Sequence, residues 1–393
     1  MDEGMNPIYR GTVARLWMLI RVFRRHGRYG NALFWLLLGP AMQVTTRAFL
    51  HLDHLFFPQL RRVTLDRPVF IVGHPRSGTS FLQRQVFGSH TAGMFTTWEL
   101  FFPSLIQRRI LAPFVWLLNL LDVSVVQSSE YGHEIRIDGV EEDEGLFMHR
   151  LDTEILTFNC PWLLTDSDVA HVGFRLGWLS RRQRLASVRL YREFLRRQVV
   201  ATGRHRIVLK CNPSVFRLRE LFQVFPDARV VYVVRSPEYS VRSHLAFAGR
   251  FVAPLLTPEE QTRYFRRKYE WCVALYREFE AVRDELPTDQ LLILPFEEIA
   301  EDLPKALGRF FRFAELAPED HFWRTFRERR HRRHRKRHVN QPLGEFGIGE
   351  GEIRRDLAFV WERYGLEDGD DAPRPHDGTP PDPREDAATQ TPG

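Results

Sequence analysis

The hydrophobic and polar positions along the chain follow two periods, which predicts helices separated by short buried strands. Apolar residues spaced three and four apart predict helices, and short runs rich in valine, isoleucine and leucine predict strands. The predicted helices cover residues 8–26, 29–51, 180–202, 215–225, 258–286, 297–312 and 352–365, and another begins near Thr79. The predicted strands cover residues 69–72, 206–210, 228–234 and 291–294.

The order of these elements indicates the fold class. Strands that alternate with helices predict an α/β fold, in which helices cover both faces of a mostly parallel central sheet. The run Val-Val-Tyr-Val-Val within 228–234 is typical of a strand buried on both faces. We expect a single α/β domain at 67–366, preceded by an N-terminal helical extension at 1–66. The acidic, proline-rich tail at 367–393 is expected to be disordered because it has little apolar surface to bury.

The net charge is distributed unevenly along the chain. The formal charge is +6, and the tail with its eight acidic residues and two arginines contributes −6, which leaves about +12 for the rest. A body this basic favours an anionic partner, which is a phosphorylated cofactor, a membrane surface or a nucleic acid.

The three cysteines, Cys160, Cys211 and Cys272, are widely spaced and odd in number. They indicate neither a disulfide framework nor a zinc motif, so we expect a reducing compartment. The first residues lack the basic-then-apolar order of a secretory signal, which favours a cytoplasmic location.

Two apolar segments raise the question of a membrane. Residues 29–46 carry no charge but contain Gly39-Pro40, and the run 110–121 is too short to cross a bilayer. Arginines flank both segments. Two interpretations stay open: buried core helices, or a surface that rests on a membrane or admits an apolar substrate.

The first chemical motif follows the opening strand, where residues 73–80 read Gly-His-Pro-Arg-Ser-Gly-Thr-Ser. A strand, a glycine loop and a helix together offer backbone N–H groups to a phosphate, which predicts a P-loop-like nucleotide-binding fold. A P-loop nucleotide kinase would have lysine after the second glycine, where this chain has Thr79. The sequence also shows no acidic strand end suited to magnesium, so we expect no metal. The phosphate-binding candidates are Arg76, Ser77, Gly78, Thr79 and Ser80.

A second motif follows the strand 228–234. Arg235-Ser236-Pro237 comes directly after it, and Ser243 stands eight residues past the arginine. The carboxyl end of a buried strand delivers such a side chain to the crevice where α/β proteins bind ligands. Arg235 and Ser243 are therefore expected to bind one anion.

Together the two motifs resemble those of the sulfotransferase superfamily. The segment 75–80 is similar to its 5′-phosphosulfate loop in the Pro-Arg-Ser-Gly-Thr-Thr form of the tyrosylprotein and bacterial branches. Arg235 and Ser243 match the residues that hold the 3′-phosphate. The resemblance covers about 68–366 and implies a bacterial-type sulfotransferase domain. It also implies a metal-independent reaction that moves the sulfonyl group of 3′-phosphoadenosine 5′-phosphosulfate (PAPS) to a hydroxyl acceptor.

Weaker matches concern the rest of the site. Lys210 precedes Asn212, which stands where the cytosolic branch has its catalytic histidine and which cannot take a proton. Segment 294–299 resembles the family's adenine-side Tyr-Glu-Asp-Leu, with Phe296 in place of the tyrosine. The resemblance implies that Lys210 and Arg76 bind the leaving phosphate and that Phe296 stacks on adenine.

The resemblance implies Glu99 as the catalytic base, since some branches use a glutamate after the first helix. Its apolar neighbours would favour the protonated form. The alternative is a capping or ion-paired glutamate. The acidic cluster 141–144 and His133 are rival bases.

The acceptor and the partners follow less directly. The apolar stretches favour a lipid-like alcohol over a free sugar, with peripheral membrane contact. Seven fixed cations in the run 329–338 suit a phosphate or a lipid surface, and no recognition helix accompanies them, so nucleic acid is not expected. A membrane-associated protein that binds the adenosine bisphosphate without catalysis remains an alternative.

Overall fold

The computed structural model describes residues 7–121, 124–126, 135–166, 179–324 and 342–366. Structural statements below concern these ranges. His133, the basic run 329–338 and the tail 367–393 lie outside them, so their predicted roles stay predictions.

The described chain forms one parallel sheet and one short antiparallel pair. The strands are β1 (Val69–Gly73), β2 (Ser124–Val126), β3 (Ile135–Arg136), β4 (Val208–Lys210), β5 (Arg229–Val234) and β6 (Leu291–Pro295). The main sheet has the order β4-β1-β5-β6, and every neighbouring pair is parallel. β2 pairs with β3. The predicted α/β class with a mostly parallel sheet is confirmed.

Helices surround the sheet. They are α1 (Pro7–Arg25), α2 (Tyr29–Phe56), α3 (Thr79–Phe87), α4 (Thr97–Phe101), α5 (Leu105–Leu120), α6 (Glu144–Phe147), α7 (Leu156–Asn159), α8 (Trp162–Thr165), α9 (Arg181–Thr202), α10 (Leu218–Val224), α11 (Pro237–Val252), α12 (Pro258–Arg283), α13 (Phe296–Glu301), α14 (Leu303–Ala314) and α15 (Glu352–Tyr364). A 3₁₀ segment, Asn212–Arg217, connects β4 to α10.

Local sequence explains why the long helices begin where they do. Ser180 and Gln183 form a capping box at the start of α9, and Thr257 and Glu260 form another at the start of α12. Gly203 ends α9 in a left-handed conformation at φ 67°.

The strands form the centre of the core, and their register defines one functional edge. All of β1 is buried, as are the last five residues of β5. Ile71 pairs with Lys210, Gly73 with Val233, and Val234 with Pro295. The carboxyl ends of four strands therefore meet at one edge, which is where parallel α/β sheets bind ligands.

The structure corrects several predicted elements. The predicted helix 297–312 is two helices, because Asp302 interrupts it and accepts a hydrogen bond from the Lys305 N–H at the start of α14. The predicted helix 215–225 begins as a 3₁₀ turn. Apart from the apolar run 110–121, no element is predicted between 88 and 179. The structure has α4 to α8 there, and all of them except α5 span only four or five residues.

The N-terminal helices α1 and α2 pack against each other and against the main domain. Leu19, Phe23 and Leu50 belong to the same buried cluster as Phe70 of β1. The predicted boundary near residue 66 thus marks a change of secondary structure within one continuous core, and the separate status of the extension stays a prediction.

Candidate active site

The loop between β1 and α3 has a backbone shaped for an anion. Arg76 lies at φ 72° and Gly78 at φ 99°, and Gly78 is the N-cap of α3. Among the described residues no backbone carbonyl accepts from the N–H of Gly78, Thr79 or Ser80, whereas the Ser77 N–H donates to His74 at 3.1 Å. A helix N-terminus with open donors attracts negative charge.

Two glycines allow this loop to form. A Cβ on Gly78 would lie 2.5 Å from Cδ2 of Phe296, so the phenyl ring packs directly over the loop. A Cβ on Gly73 would lie 2.4 Å from the carbonyl oxygen of Val233 on β5. Both positions therefore exclude any side chain.

Ser77 carries a buried hydroxyl in this loop. Its side chain is fully buried, and its Oγ has no hydrogen-bond partner among the described residues. A buried hydroxyl without a hydrogen-bond partner destabilises the fold unless a ligand forms a hydrogen bond with it. The loop therefore fits a phosphate group.

Arg235 begins the second motif, directly after β5. Its guanidinium lies 3.2 Å from the ring centroid of Tyr239 on α11 and 3.9 Å from that of Phe296 on α13. The two rings hold the planar cation between them through cation–π contacts. Phe296 thus touches both motifs, the loop through Gly78 and the second cation through Arg235.

Arg76 joins the two motifs. Its Nε donates to Oγ of Ser243 on α11 at 3.1 Å. Burial lowers the pKa of Arg76 from its ordinary value, and nearby Arg250, Arg235 and Arg84 lower it further, although Tyr239 opposes them. Several cations held near one buried guanidinium make a region that a multiply charged anion would stabilise.

Lys210 ends β4, beside the loop strand, and contacts the acidic cluster. Its Nζ donates to Oε2 of Glu142 at 2.5 Å, and the backbone N–H of Asn212 donates to Oε1 of the same carboxylate at 2.7 Å. The Glu142 side chain is 27% exposed, whereas that of Lys210 is 5% exposed. Glu142 therefore stands at the carboxyl edge with access to solvent.

The next two acidic residues of this cluster are buried. Burial is the main cause that raises the pKa of Asp143 well above its ordinary value and that of Glu144 to about 7. Asp143 accepts from the Lys210 N–H at 2.6 Å, and Glu144 accepts from Thr153 Oγ1 at 2.7 Å. Asp143 therefore ties its loop to the end of β4, and Glu144 ties the same segment to residues 153 and 154.

Glu99 lies on α4 in a closed set of contacts. Its Oε2 accepts from the Thr96 N–H at 2.8 Å in a capping box and from Gln198 Nε2 at 3.3 Å. Its Oε1 pairs with Arg108 at 3.2 Å, and its side chain is 14% exposed. These contacts are those of the capping and ion-paired alternative, and the role of Glu99 as base stays a prediction.

Sequence reasoning missed part of the site. Tyr239 stands in the first turn of α11, four residues after Arg235, and an aromatic side chain so close to a candidate anion-binding arginine was the signal that could have revealed it. Beneath the loop, His74 stacks on Tyr276 with centroids 5.0 Å apart, and Tyr276 shares a hydrogen bond with Ser240. No local pattern signals that buried contact, since the partners are 202 residues apart in sequence.

The described residues contain no group of three or more His, Cys, Asp or Glu side chains that could hold a metal ion. The donors at the edge are instead hydroxyls, backbone N–H groups and cations, which are donors suited to phosphate oxygens.

Comparisons with known proteins bear on the family and the fold. Residues 68–320 match the model of the sulfotransferase family. The structure resembles sulfotransferase STF9 from Mycobacterium avium with a TM-score of 0.67, at 15% identity over 93% of this chain and 99% of that chain. It also resembles sulfotransferase STF1 from Mycobacterium tuberculosis H37Rv with a TM-score of 0.61, at 16% identity over 91% and 94% of the two chains. No curated protein sequence matched the chain.

Proposed function

The chain belongs to the sulfotransferase family, and from that premise we propose that it moves the sulfonyl group of PAPS to a hydroxyl acceptor. The observation that carries the proposal is the contact between the two anion motifs, where Arg76 of the loop bonds Ser243 eight residues beyond Arg235. PAPS carries two phosphorylated positions on one nucleotide, and two linked anion sites at one sheet edge suit such a molecule.

Each of these residues then has a role in binding PAPS. The loop donors from Ser77 to Ser80 bind the 5′-phosphosulfate, while Arg235 and Ser243 bind the 3′-phosphate. Phe296 offers its ring to the adenine side, and its contact with the Arg235 guanidinium at 3.9 Å supports a stacked arrangement there. These parts use the residues that the sequence motifs predicted.

PAPS supplies the activated sulfonyl group when it is bound, and the protein supplies charge and a proton acceptor. Arg76 and Lys210 stabilise the negative charge that grows on the leaving phosphate, because fixed cations need no reorganisation during the transfer. The acceptor hydroxyl loses its proton to a carboxylate as its oxygen bonds to sulfur.

Of the carboxylates, we propose Glu142 as the proton acceptor. It is more exposed than Glu99, and it lies beside the Lys210 end of β4, next to the loop strand. Both carboxylates pair with a buried cation and accept a hydrogen bond from a backbone N–H, but Glu99 does so at the start of α4 and Glu142 does so at the carboxyl edge of the sheet. A base must reach the acceptor hydroxyl, and the contacts of Glu142 support that reach better.

For the acceptor we propose a lipid-like alcohol. Large apolar side chains are exposed on α5, which starts close after the α4 segment that carries Glu99. An apolar molecule gains free energy by leaving water along such a surface. The cytoplasmic location expected from the sequence remains a prediction.

The test is transfer of radiolabelled sulfonate from PAPS to a total lipid extract, with and without the protein. We expect a labelled lipid product, adenosine 3′,5′-bisphosphate in equal amount, and unchanged turnover in EDTA. Nucleotide binding without transfer to any acceptor fraction would favour the non-catalytic binding protein instead. Loss of turnover in EDTA would indicate a metal-dependent reaction and would favour the P-loop nucleotide kinase instead.

A further inference from the structure

Helix α2 presents its apolar side to the outside of the protein. Tyr29, Leu33, Phe34, Leu37, Val44 and Leu55 are each between 53% and 72% exposed. The buried side carries Ala32, Gly39, Gln43, Thr46 and Asp53 together with Leu50. A surface helix of a water-soluble protein has the opposite arrangement, with its apolar stripe toward the core. The outer face of α2 therefore suits an apolar neighbour.

Helix α5 shows the same inversion and lies beside α2. Its exposed large apolar residues are between 46% and 67% exposed, whereas Gln107 and Arg108 are buried. They are Ile110, Phe114, Trp116, Leu117 and Leu120. Single exposed apolar residues are ordinary on protein surfaces, but two neighbouring helices with exposed leucine, phenylalanine and tryptophan indicate an interaction site. We call these exposed side chains of α2 and α5 the outer apolar face.

The polar side of α2 is what fastens both helices to the domain. Asp53 accepts from the Ser104 hydroxyl at 2.9 Å and from the N–H groups of Leu105 and Ile106 at 3.1 and 3.0 Å, so it caps α5. It also pairs with the buried Arg197 of α9 at 2.8 Å. Because this buried network fixes the orientation of the two helices, the outer apolar face is a built feature of the fold.

The length and composition of α2 alone would allow it to cross a membrane, and only 17% of its most apolar 18-residue window is buried. Crossing is incompatible with the contacts on its other side. A Cβ on Gly39 would lie 2.7 Å from Leu16 of α1, so the two helices pack closely along their length. The helix therefore lies along the protein with one face outward.

The charges around this face decide which occupant suits it. Arg21, Arg24 and Arg28 are exposed near the start of α2, and Arg61 and Arg62 are exposed shortly after its end. A second copy of the chain would bring the same cations against each other. An anionic lipid surface attracts them, and tryptophan and tyrosine side chains such as Trp17, Tyr29 and Trp116 favour the interface between headgroups and acyl chains.

We propose that the outer apolar face docks the protein on an anionic phospholipid bilayer, with α2 and α5 lying in the plane of the interface. Arginine heads contact lipid phosphates while the leucine, phenylalanine and tryptophan side chains enter the acyl boundary. This docking is a property of the surface and does not depend on the proposed sulfonyl transfer.

Consecutive contacts connect the outer apolar face to the candidate active site. Arg108 of α5 pairs with Glu99 of α4, and Thr96 before α4 bridges to Val140, two residues before Glu142. The helix that would lie in the lipid is thus joined to the carboxyl edge by consecutive contacts.

The test is flotation of the full-length protein with vesicles of phosphatidylcholine alone or with one-third phosphatidylglycerol. We expect binding to the anionic vesicles and release by alkaline carbonate. The double variant Leu37→Lys/Leu117→Lys should lower the partition coefficient about tenfold or more, because two leucines no longer leave water. The added positive charges alone would strengthen binding to anionic lipid, so a loss identifies apolar insertion.

Ala317→Lys is the matched control, since it adds a lysine at an exposed position outside the outer apolar face. It should bind at least as well as the unmodified protein. Both variants should keep the melting temperature, because the three positions are exposed. Failure to bind anionic vesicles, equal binding to neutral vesicles, or retention after carbonate would overturn the proposal. So would a dimer in sedimentation that Leu37→Lys/Leu117→Lys converts to a monomer, since a second copy would then cover the face.

Discussion

At the scale of single residues, the site depends on backbone conformations that few residue types can adopt. Gly78 combines φ 99° with the close approach of Phe296, and Arg76 holds φ 72° although arginine has a Cβ. Such strain persists where the surrounding structure enforces it, and it is common in loops that bind ligands. Packing of the surrounding residues therefore holds the loop in this shape.

Gly78→Ala should weaken binding of adenosine 3′,5′-bisphosphate, because the added methyl group meets the Phe296 ring and the left-handed backbone disfavours alanine. We expect a loss of about tenfold or more in affinity by calorimetry, for a strain of about 1–3 kcal/mol. Gly203→Ala is the control, because Gly203 has φ 67° at the end of α9 with nothing within 4 Å of a built Cβ. It should lose stability but keep its affinity.

Glu142→Gln should lower turnover by about 10²–10⁴-fold while nucleotide binding survives, because the amide keeps the shape of the side chain and cannot take a proton. Glu99→Gln should keep more than about a tenth of turnover and instead lose stability, because Arg108, whose side chain is only 6% exposed, loses its charged partner while glutamine can still cap α4. Rate assays and urea unfolding on both variants decide between them. A large loss of turnover in Glu99→Gln with a small loss in Glu142→Gln would identify Glu99 as the base.

At the scale of elements, buried polar networks orient the helices that surround the sheet. Asp53 joins α2, α5 and α9 with one carboxylate, and Arg197 is only 1% exposed in that pair. Burying such an ion pair adds little net stability, but removing one partner leaves the other charge unpaired in the protein interior, where it is poorly solvated.

Asp53→Ala should therefore cost about 3–5 kcal/mol of unfolding free energy, measured by urea denaturation. Glu285→Ala is the matched control, because it removes the partner of Arg219 at an exposed position where solvent screens the charges, and it should cost far less than Asp53→Ala. Equal losses in the two variants would contradict the anchoring role of Asp53.

The elements also differ in how well the sequence predicts them. Strands β1 and β5 and helices α9 and α12 follow from local signals, namely valine-rich runs and capping boxes. The anion motifs follow from their short spacing after strands. For α2 the sequence leaves two alternatives open, a buried core helix and a surface that rests on a membrane, since an apolar helix pattern normally indicates burial. Only the distant partner Arg197 explains why Asp53 is inside. The contact between Arg76 and Ser243 likewise spans 167 residues.

At the scale of the whole molecule, several buried titratable groups couple folding to pH. Burial lowers the pKa of His149 to about 4 and that of His74 to about 3, and it lowers the pKa of His244 well below its ordinary value. The unfolded chain binds protons below about pH 6.5 while these buried rings stay neutral. Their contribution to stability is therefore lost as the pH falls below 6.5. Glu144, with its pKa raised to about 7, acts in the opposite direction between pH 4.5 and 7.

His149→Gln removes one of these histidines at a distance from the loop in sequence. Between pH 6 and 4, the stability of the variant should change less steeply than that of the unmodified protein. The difference should be about 1.4 kcal/mol per pH unit, the value for one proton. Urea unfolding across this range measures it. Parallel pH profiles for the two proteins would show that His149 is not held neutral.

The most direct test of the account compares two nucleotides by calorimetry, adenosine 3′,5′-bisphosphate and adenosine 5′-monophosphate, which differ only in the 3′-phosphate. We expect the bisphosphate to bind about 10- to 150-fold more tightly, because its 3′-phosphate accepts a charge-assisted hydrogen bond that contributes about 1.5–3 kcal/mol. In Arg235→Ala that preference should fall to the part that Ser243 contributes, while affinity for the monophosphate stays near that of the unmodified protein. Equal affinity of the unmodified protein for the two nucleotides, or an undiminished preference in Arg235→Ala, would contradict the account.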